Sequence, residues 1–270
     1  MAAPSFRAKG AEAVLLALDV RNDGIVVGFR SGEDWTTIVR LGADRSADEL
    51  GILLEACARR AGIEPGMAFD EAWISSVVPA LTPRVVDAIS STFGLTASVV
   101  GPGTRTGIKI RTDTPSELGS DIVCAAVAAR AISDDRSEAT VIVDFGSALV
   151  LTAVNASDEL LGVSIAPGIE TAARSLRSST AQIHQVRLDA PGRAIGRNTA
   201  QSIQSGILLG YRGLIRALVG SMTDEMGETA MVLGTGDESG RAVMEGAGYP
   251  RFERHLALDG LAIIAERNRR

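Results

Sequence analysis

Three aspartates stand at positions where an enzyme of phosphoryl transfer needs carboxylates. Asp19 and Asp144 each lie near the end of an apolar, strand-like run, and Asp121 follows Gly119-Ser120. A carboxylate at a strand end can hold a Mg²⁺ ion that bridges phosphate oxygens, while the N–H groups of the next turn can cradle those oxygens. Phosphoryl transfer further needs a base that orients the attacking hydroxyl. The three aspartates are therefore candidates for these roles.

A purely structural role explains the same aspartates equally well from spacing alone. Aspartate is common at strand ends in α/β proteins, and an aspartate in a first helical turn is favoured by the helix dipole. Both interpretations stay open at this level.

Other chemistries lack the residues they need. The chain has two histidines, His184 and His255, and no HExxH motif or Cys/His cluster, which argues against a zinc enzyme. Its two cysteines, Cys57 and Cys124, form no CxxC pair or disulfide framework. We therefore expect a reducing compartment, the cytoplasm.

The composition is that of a globular protein of one large domain or two similar lobes. The chain has 270 residues, of which 46% are hydrophobic and 22% charged. A net charge of −6 provides no overall basic field for nucleic acid or an anionic membrane. No apolar run approaches the ~18 residues of a membrane span. We expect neither nucleic acid nor membrane as a partner.

The elements that must position the aspartates repeat along the chain. In the first half, apolar runs and turn residues predict strands at Val14–Val20, Ile25–Phe29, Trp35–Leu41, Trp73–Val77 and Ala97–Val100. Helices are predicted to begin at the capping box Ser46–Glu49, at Thr82-Pro83, and at a second capping box, Thr114–Glu117, whose helix runs to about Ile132.

The second half begins with the same order of elements. Strands are predicted at Thr140–Asp144, Ala148–Val154, Leu160–Ile165 and Ala230–Leu233, with helices near 170–180, 198–220 and 259–268 and a turn at Gly234-Thr235-Gly236. In each half, a strand ends at an aspartate and a turn and hairpin follow. We interpret this repetition as a rough internal duplication.

Ordered motifs along nearly the whole chain resemble those of the type III pantothenate kinases, within the acetate/sugar kinase–Hsp70–actin superfamily. The stretches are Arg45–Gly51, Ile74–Pro83, Val99–Gly103, Thr106–Ile108, Glu117–Asp121, Val143–Ala148, Ile165–Ile169, Ile195–Thr199, Gln204–Ile207, Leu258–Leu261 and Glu266–Asn268. The resemblance implies an α/β, two-lobed, actin-like (ribonuclease H-like) duplicated fold with mixed β-sheets flanked by helices. It implies lobes at residues 13–130 and 138–268 after a loose extension, 1–12, with Asp19 and Asp144 at facing hairpins.

The resemblance also implies a homodimer that phosphorylates the hydroxyl of pantothenate with ATP, in coenzyme A biosynthesis, assisted by Mg²⁺ and a monovalent cation such as K⁺. Asp121 looks like the base that orients the hydroxyl, and Asp19 and Asp144 look like the metal and phosphate carboxylates. The implied nucleotide site comprises Asp19, Arg21, Asn22, Asp23, Gly146, Ser147, Gly234, Thr235 and Gly236. The implied substrate pocket comprises Thr112, Gly119, Ser120, Ile122 and Thr180, the last reaching across the dimer.

A surplus of apolar residues also predicts the homodimer. The segment 170–220 carries more apolar side chains than one core-facing stripe needs, which favours a second partner. The residues are Ile203, Ile207, Leu208, Leu209, Leu214, Ile215 and Leu218.

The departures from the family's motifs fall at the proposed ligand sites. In the first phosphate motif, Arg21 replaces a glycine and should crowd the loop, although it could contact phosphate itself. Asp23 replaces a threonine and adds a negative charge near a triphosphate. Ile122 replaces an arginine expected to face pantothenate, and Thr112 replaces a tyrosine. Further changes are Leu149 and Val150 for threonines and Asp237 for a glycine.

Three functions remain open on this sequence. The first is pantothenate phosphorylation, and the second is phosphorylation of a different small alcohol, such as an uncharged one. The third is a non-catalytic member of the family that binds a nucleotide or metabolite or acts as a regulatory protein. Retention of Asp19, Asp121 and Asp144 favours a kinase. Loss of a carboxylate-binding arginine, whose charge-assisted hydrogen bond is worth ~1.5–3 kcal/mol, weakens the case for pantothenate.

Overall fold

The computed structural model describes residues 14–63, 69–178, 186–189 and 192–269. The predicted extension 1–12 and Thr180 lie outside these residues. The strands are β1 (Val14–Arg21), β2 (Gly24–Ser31), β3 (Asp34–Leu41), β4 (Glu71–Ser76), β5 (Ala97–Val99), β6 (Lys109–Ile110), β7 (Ala139–Phe145), β8 (Ala148–Val154), β9 (Glu159–Pro167) and β10 (Ala230–Gly236). The α-helices are α1 (Ala47–Arg60), α2 (Thr82–Phe93), α3 (Ser120–Ala131), α4 (Ile169–Ser178), α5 (Thr199–Gln204), α6 (Gly210–Met226), α7 (Ser239–Ala247) and α8 (Leu256–Asn268).

These elements form two compact units. The first comprises the chain up to Thr106, the segment Ser116–Ala125, and the chain from Ala257 onward. The second comprises Gly107–Pro115 and Ala126–Leu256. The C-terminal helix α8 therefore belongs almost entirely to the first unit.

The first unit contains a five-stranded mixed sheet of order β3-β2-β1-β4-β5. The antiparallel meander β1-β2-β3 was predicted from alternating apolar runs and turns, and β4 and β5 add to it in parallel. Helices α1 and α2 cover this sheet with a core that includes Leu16, Ile25, Phe29, Leu54 and Ile89. The predicted capping box opens α1, because the Ser46 side chain accepts from the Glu49 N–H and Glu49 accepts from the Ser46 N–H.

The second unit repeats this arrangement. Its sheet has the order β10-β7-β8-β9-β6, with an antiparallel meander β7-β8-β9 and with β10 parallel to β7. The repetition extends to the aspartates. Asp19 pairs in register with Ser75 on its parallel neighbour, and Asp144 pairs with Thr235 on its own. Each aspartate thus lies beside a hydroxyl residue near the carboxyl end of a central strand.

Three local predictions are corrected by the structure, and two elements were not predicted. The second capping box does not open a helix: a short 3-10 turn forms at Pro115–Glu117, and α3 begins only at Ser120. Gly234-Thr235-Gly236 is strand, because β10 continues its pairing with β7 as far as Phe145. The last helix begins at Leu256, three residues before the predicted start, and α7 and β6 were not predicted.

The late start of α3 has a tertiary cause. The hydroxyl of Ser120 accepts from the Ser76 N–H at 2.8 Å and donates to the Ser76 carbonyl at 3.1 Å. These two bonds fix the first residue of α3 to the end of β4. Since they join residues 44 positions apart, no local signal reports them.

Within the described ranges, we find no helix that combines the length and the hydropathy of a membrane span.

Candidate active site

Asp19 lies in the middle of the first sheet and is almost completely buried, with 3% of its surface exposed. Its Oδ2 accepts from Nε of Arg21 at 2.7 Å. Its Oδ1 is shielded from solvent and has no hydrogen-bond partner among the described residues. Leaving a buried carboxylate oxygen unpaired is costly. Such an atom indicates a position that is built for a ligand.

Asp121 is the second residue of α3. Its Oδ1 accepts from the Ile122 N–H at 2.8 Å, and its Oδ2 lies 3.7 Å from Nε of Arg21. The positive end of the helix dipole favours the charged carboxylate here. Arg21 therefore brings Asp19 and Asp121, which are about a hundred residues apart in sequence, to a single guanidinium group.

Gly119 and Ser120 hold Asp121 in this position. A Cβ added at Gly119 would lie 2.5 Å from Oδ1 of Asp121 and 3.1 Å from Cγ1 of Val77. Only glycine therefore leaves room for the carboxylate as it is placed. Ser120 supplies the attachment to β4 described above, so both residues act on the position of Asp121.

Two polar residues of this site were missed by sequence reasoning. The hydroxyl of Ser75, which is fully buried, lies 3.1 Å from that of Ser120 and in register with Asp19. Cys124 lies one helical turn after Asp121 and is also fully buried. The sequence did contain a signal for Ser75, because a polar Ser75-Ser76 pair ends an otherwise apolar strand.

Cys124 is a neutral thiol and not a nucleophile. Burial raises its pKa far above the ordinary value, and the charges of Asp19 and Asp121 raise it further. Since only the thiolate is reactive, Cys124 contributes a small apolar surface beneath the two carboxylates.

The turn after β1 carries the other altered residues of the phosphate motif. Asn22 and Asp23 are the exposed central residues of the two-residue hairpin between Arg21 and Gly24, as their sequence predicted. Asp23 forms an ion pair with Nη2 of Arg40 at 2.7 Å. Sequence reasoning missed Arg40, which lies on β3 and offsets part of the negative charge introduced at position 23.

In the second unit, Asp144 is buried near the end of β7, with 7% of its surface exposed. Gly236, on the neighbouring strand β10, has a φ of 92°, which disfavours residues with a side chain. A Cβ there would lie 2.6 Å from Oδ1 of Asp144. Thr235, 2% exposed, completes a polar end to the two parallel strands.

The turn between β7 and β8 is tied to the start of α4. The Gly146 N–H donates to the Ala148 carbonyl at 3.0 Å, and the Ser147 carbonyl accepts from the Gly168 N–H and the Thr171 hydroxyl. A small recess beside this turn is lined by residues that include Gly146, Glu170 and Asp237. Its lining therefore includes two acidic residues, one at the start of α4 and one just after β10.

The predicted acceptor residues are divided between the two units. Gly119, Ser120 and Ile122 belong to the first unit, where Ile122 is half-buried immediately after Asp121. Thr112 belongs to the second, and its hydroxyl is buried without a hydrogen-bond partner among the described residues. Gly234, a nucleotide-site prediction, lies in β10 against Phe252 and Met244.

The carboxylates fit a magnesium ion of the kind that phosphoryl-transfer enzymes use. No cluster of three or more potential ligand residues occurs in the part of the chain that the structure describes. Mg²⁺, however, is usually held by one or two carboxylates together with water and substrate phosphates. The unpaired oxygen of Asp19 supplies one suitable ligand, and that oxygen is currently shielded from solvent.

The comparisons with known proteins concern the chain as a whole. The model of the type III pantothenate kinase family matches residues 15–221. The type III pantothenate kinase of Moorella thermoacetica is 35% identical over 257 residues, which cover 94% of this chain and 100% of the relative. Type III pantothenate kinase 2 of Symbiobacterium thermophilum is 38% identical over 262 residues, which cover 94% and 97% of the two chains.

A solved structure confirms the predicted actin-like fold. The crystal structure of MreB 5 of Spiroplasma citri bound to AMPPNP matches with a TM-score of 0.55 at 10% identity and covers 94% of this chain and 96% of that one. This likeness concerns the fold alone. The family model and the relatives lead to one assignment: the chain belongs to the type III pantothenate kinase family.

Proposed function

We propose that this protein transfers the γ-phosphoryl group of ATP to the hydroxyl group of pantothenate, in coenzyme A biosynthesis. The observation that carries the proposal is the meeting of Asp19 and Asp121 at Arg21, within 2.7 and 3.7 Å of the same guanidinium nitrogen. In a chain of this family, a buried metal carboxylate and a carboxylate at a helix start are the two groups that the chemistry needs most.

The first unit supplies the acceptor chemistry. Asp121 accepts the proton of the attacking hydroxyl through its carboxylate, which Gly119 and Ser120 keep at the start of α3. Asp19 would hold Mg²⁺, which would supply neutralisation of the charge on the phosphate groups. Asn22 and Asp23, in the hairpin that follows Asp19, face the ATP whose phosphates this ion would contact.

The second unit supplies further contacts to the nucleotide. We assign the phosphate and monovalent-cation site to Asp144, with Gly146 and Ser147 in the following turn. Gly234, Thr235 and Gly236 form the strand end on the other side of Asp144. The register of Asp144 with Thr235 supports this assignment, because it repeats that of Asp19 with Ser75.

A second acceptor, an uncharged small alcohol, is favoured by one observation. Ile122 follows the catalytic carboxylate and offers no charge to the carboxylate of pantothenate. Thr112 keeps a buried, unpaired hydroxyl where the family has tyrosine. The observation that favours an acceptor without an anionic group is the uncharged side chain of Ile122.

An assay with product identification separates these functions. Protein with ATP, Mg²⁺ and K⁺ is incubated with pantothenate or with a panel of uncharged alcohols, and the phosphorylated product is identified by mass spectrometry. The Asp121→Asn variant is the matched control for contaminating kinases. Phosphopantothenate above the level of this control supports the proposal. Product from an uncharged alcohol alone supports the second acceptor, and no product from any acceptor contradicts a kinase.

Restoring the family's residues tests the acceptor pocket directly. Ile122→Arg combined with Thr112→Tyr should lower the KM for pantothenate, because a charge-assisted bond in a partly dehydrated pocket is stronger than in water. The nucleotide side is tested separately by Arg21→Gly, Asp23→Thr and Asp237→Gly, which should tighten ATP binding. The two sets should combine additively where their sites are independent.

We also propose a homodimer in the cytoplasm, with its interface in the second unit. The apolar surplus of segment 170–220 is largely used in that unit's own core, since Ile207, Leu208 and Ile215 are buried there. Exposed apolar side chains of that unit include Ile165 on β9, which is 68% exposed, Leu176 on α4, which is 41% exposed, and Ile195, which is 81% exposed. Ile165→Glu should shift the protein to a monomer in light scattering, whereas a monomeric unmodified protein contradicts the dimer.

Two free, buried cysteines fit a reducing compartment.

A further inference from the structure

We infer that Arg21 is a built-in cation that competes with the divalent metal ion for Asp19, so that the metal binds only when the guanidinium leaves. This inference rests on the proposed function for the identity of the metal site. It concerns the binding of the metal, however, and not the turnover of the enzyme.

The geometry leaves no oxygen of Asp19 open while Arg21 is in place. Oδ2 is engaged by Nε of Arg21 at 2.7 Å, and Oδ1 is shielded from solvent. Asp19 is 3% exposed as a residue. A cation that binds Oδ2 must therefore displace the guanidinium.

The charges at this position also favour competition. Arg21 lies 3.7 Å from Asp121 as well, so one positive charge is shared by two carboxylates in a largely buried setting. A divalent ion supplies the same compensation, and the two cations repel each other if both are present. Because the arginine is part of the chain, its effective concentration does not depend on the solution.

The charge of Arg21, and not the aliphatic part of its side chain, accounts for its pairing with Asp19 and Asp121. A neutral side chain of similar length would remove this positive charge from Asp19, and Asp19 would then attract an external cation more strongly. Arg21→Gln is the variant that makes this change with the least loss of volume.

The test is a titration with Mn²⁺ alone, without nucleotide or pantothenate, with free Mn²⁺ measured by electron paramagnetic resonance. Arg21→Gln should bind Mn²⁺ about tenfold more tightly than the unmodified protein, which corresponds to ~1.4 kcal/mol. The double variant Arg21→Gln with Asp19→Asn should lose this gain. Equal affinity of Arg21→Gln and the unmodified protein overturns the inference, and so does a gain that survives in the double variant.

Two arginine variants separate local competition from a general charge effect. Arg40→Gln removes a cation from the same sheet, one that pairs with Asp23, and should change Mn²⁺ affinity less than twofold. Arg21→Lys keeps the charge and should stay within about twofold of the unmodified protein. A tenfold gain in either variant contradicts the inference. Thermal melts verify folding, and Arg21→Met repeats the neutral substitution if the glutamine variant does not fold.

These results do not depend on the success of the proposed function. A protein that phosphorylates no acceptor still gives a Mn²⁺ affinity for each variant. Conversely, the protein could be an active kinase while its Arg21→Gln variant gains no affinity for Mn²⁺. That result would support the proposed function and overturn only the inference about Arg21.

Discussion

Replacing Gly119 by alanine should impair catalysis without unfolding the protein. The new methyl group would lie 2.5 Å from Oδ1 of Asp121, whereas a carbon and an oxygen in close contact are ordinarily about 3.3–3.6 Å apart. The carboxylate must therefore retreat by roughly 0.8–1.1 Å. The carboxylate is the end of a side chain and can move. We therefore expect the substitution to displace the carboxylate and to change the stability of the fold little.

The expected loss follows from that displacement. A misplacement of about 1 Å can reduce a reaction rate by ~10². We therefore expect the kcat of Gly119→Ala with ATP and pantothenate to fall about 100-fold, with a smaller change in KM. Gly119 is not among the glycines with positive φ. Alanine at an unstrained glycine position stabilises by ~0.4–1 kcal/mol through the unfolded state, which offsets the 3.1 Å contact with Val77.

The assay measures kcat and KM by release of ADP, together with the free energy of unfolding in urea. Gly213→Ala is the matched control, because a Cβ there meets nothing within 4 Å on an exposed face of α6. The control should keep its kcat and gain ~0.5–1 kcal/mol of stability in the helix interior. An unchanged kcat in Gly119→Ala, or a loss of stability above about 2 kcal/mol that accounts for the lost activity, would refute the reasoning.

Three further changes test other parts of the structure. Asp121→Asn should lower kcat by 10²–10⁴-fold, the range of general-base catalysis, with an unchanged melting temperature, because its Oδ1 can still accept from the Ile122 N–H; turnover equal to that of the unmodified protein would exclude Asp121 from the chemistry. Asp259→Asn should stabilise the protein at pH 7 but not near pH 4. Burial raises the pKa of Asp259 above its ordinary 3.8, against a hydrogen bond from Trp35 that lowers it. The folded state therefore binds the proton more tightly, and this group's contribution to stability falls as pH rises from about 3.8 through the raised pKa. Urea unfolding at both pH values measures the difference, and an equal effect of the substitution at both would contradict it. Thr112→Val should raise the free energy of unfolding by ~1 kcal/mol, because it removes a buried hydroxyl without a partner, and a loss of stability in the same measurement would show that this hydroxyl is satisfied.

Much of the scaffold could be predicted because its signals are local. The meander β1-β2-β3 follows from apolar runs separated by turn residues, and α1 follows from a capping box whose two bonds span three residues. The placement of Asp19 and Asp144 at strand ends was equally visible. Each of these signals depends on neighbours within a few positions, so the sequence alone reports them.

The start of α3 shows where local signals fail. The stretch Thr114–Glu117 has the residue types of a capping box, yet it forms only a 3-10 turn. The attachment of Ser120 to Ser76 decides where the helix begins. A bond between residues that are distant in the chain outweighs a cap that is worth about 1 kcal/mol.

The sequence by itself determined that three aspartates, a duplicated sheet pattern and the family's motifs are present. It also determined that Arg21 stands where the first phosphate motif of the family has glycine. Only the tertiary structure decided what Arg21 does. Its position two residues after Asp19, at the end of the same strand, made a contact with phosphate the natural expectation, but the folded chain places Asp121 close enough to share its charge. The energy of a charge depends on which groups surround it within a few ångströms and on how far water is excluded. Those quantities arise only when β1 and α3 come together, and no spacing in the sequence contains them.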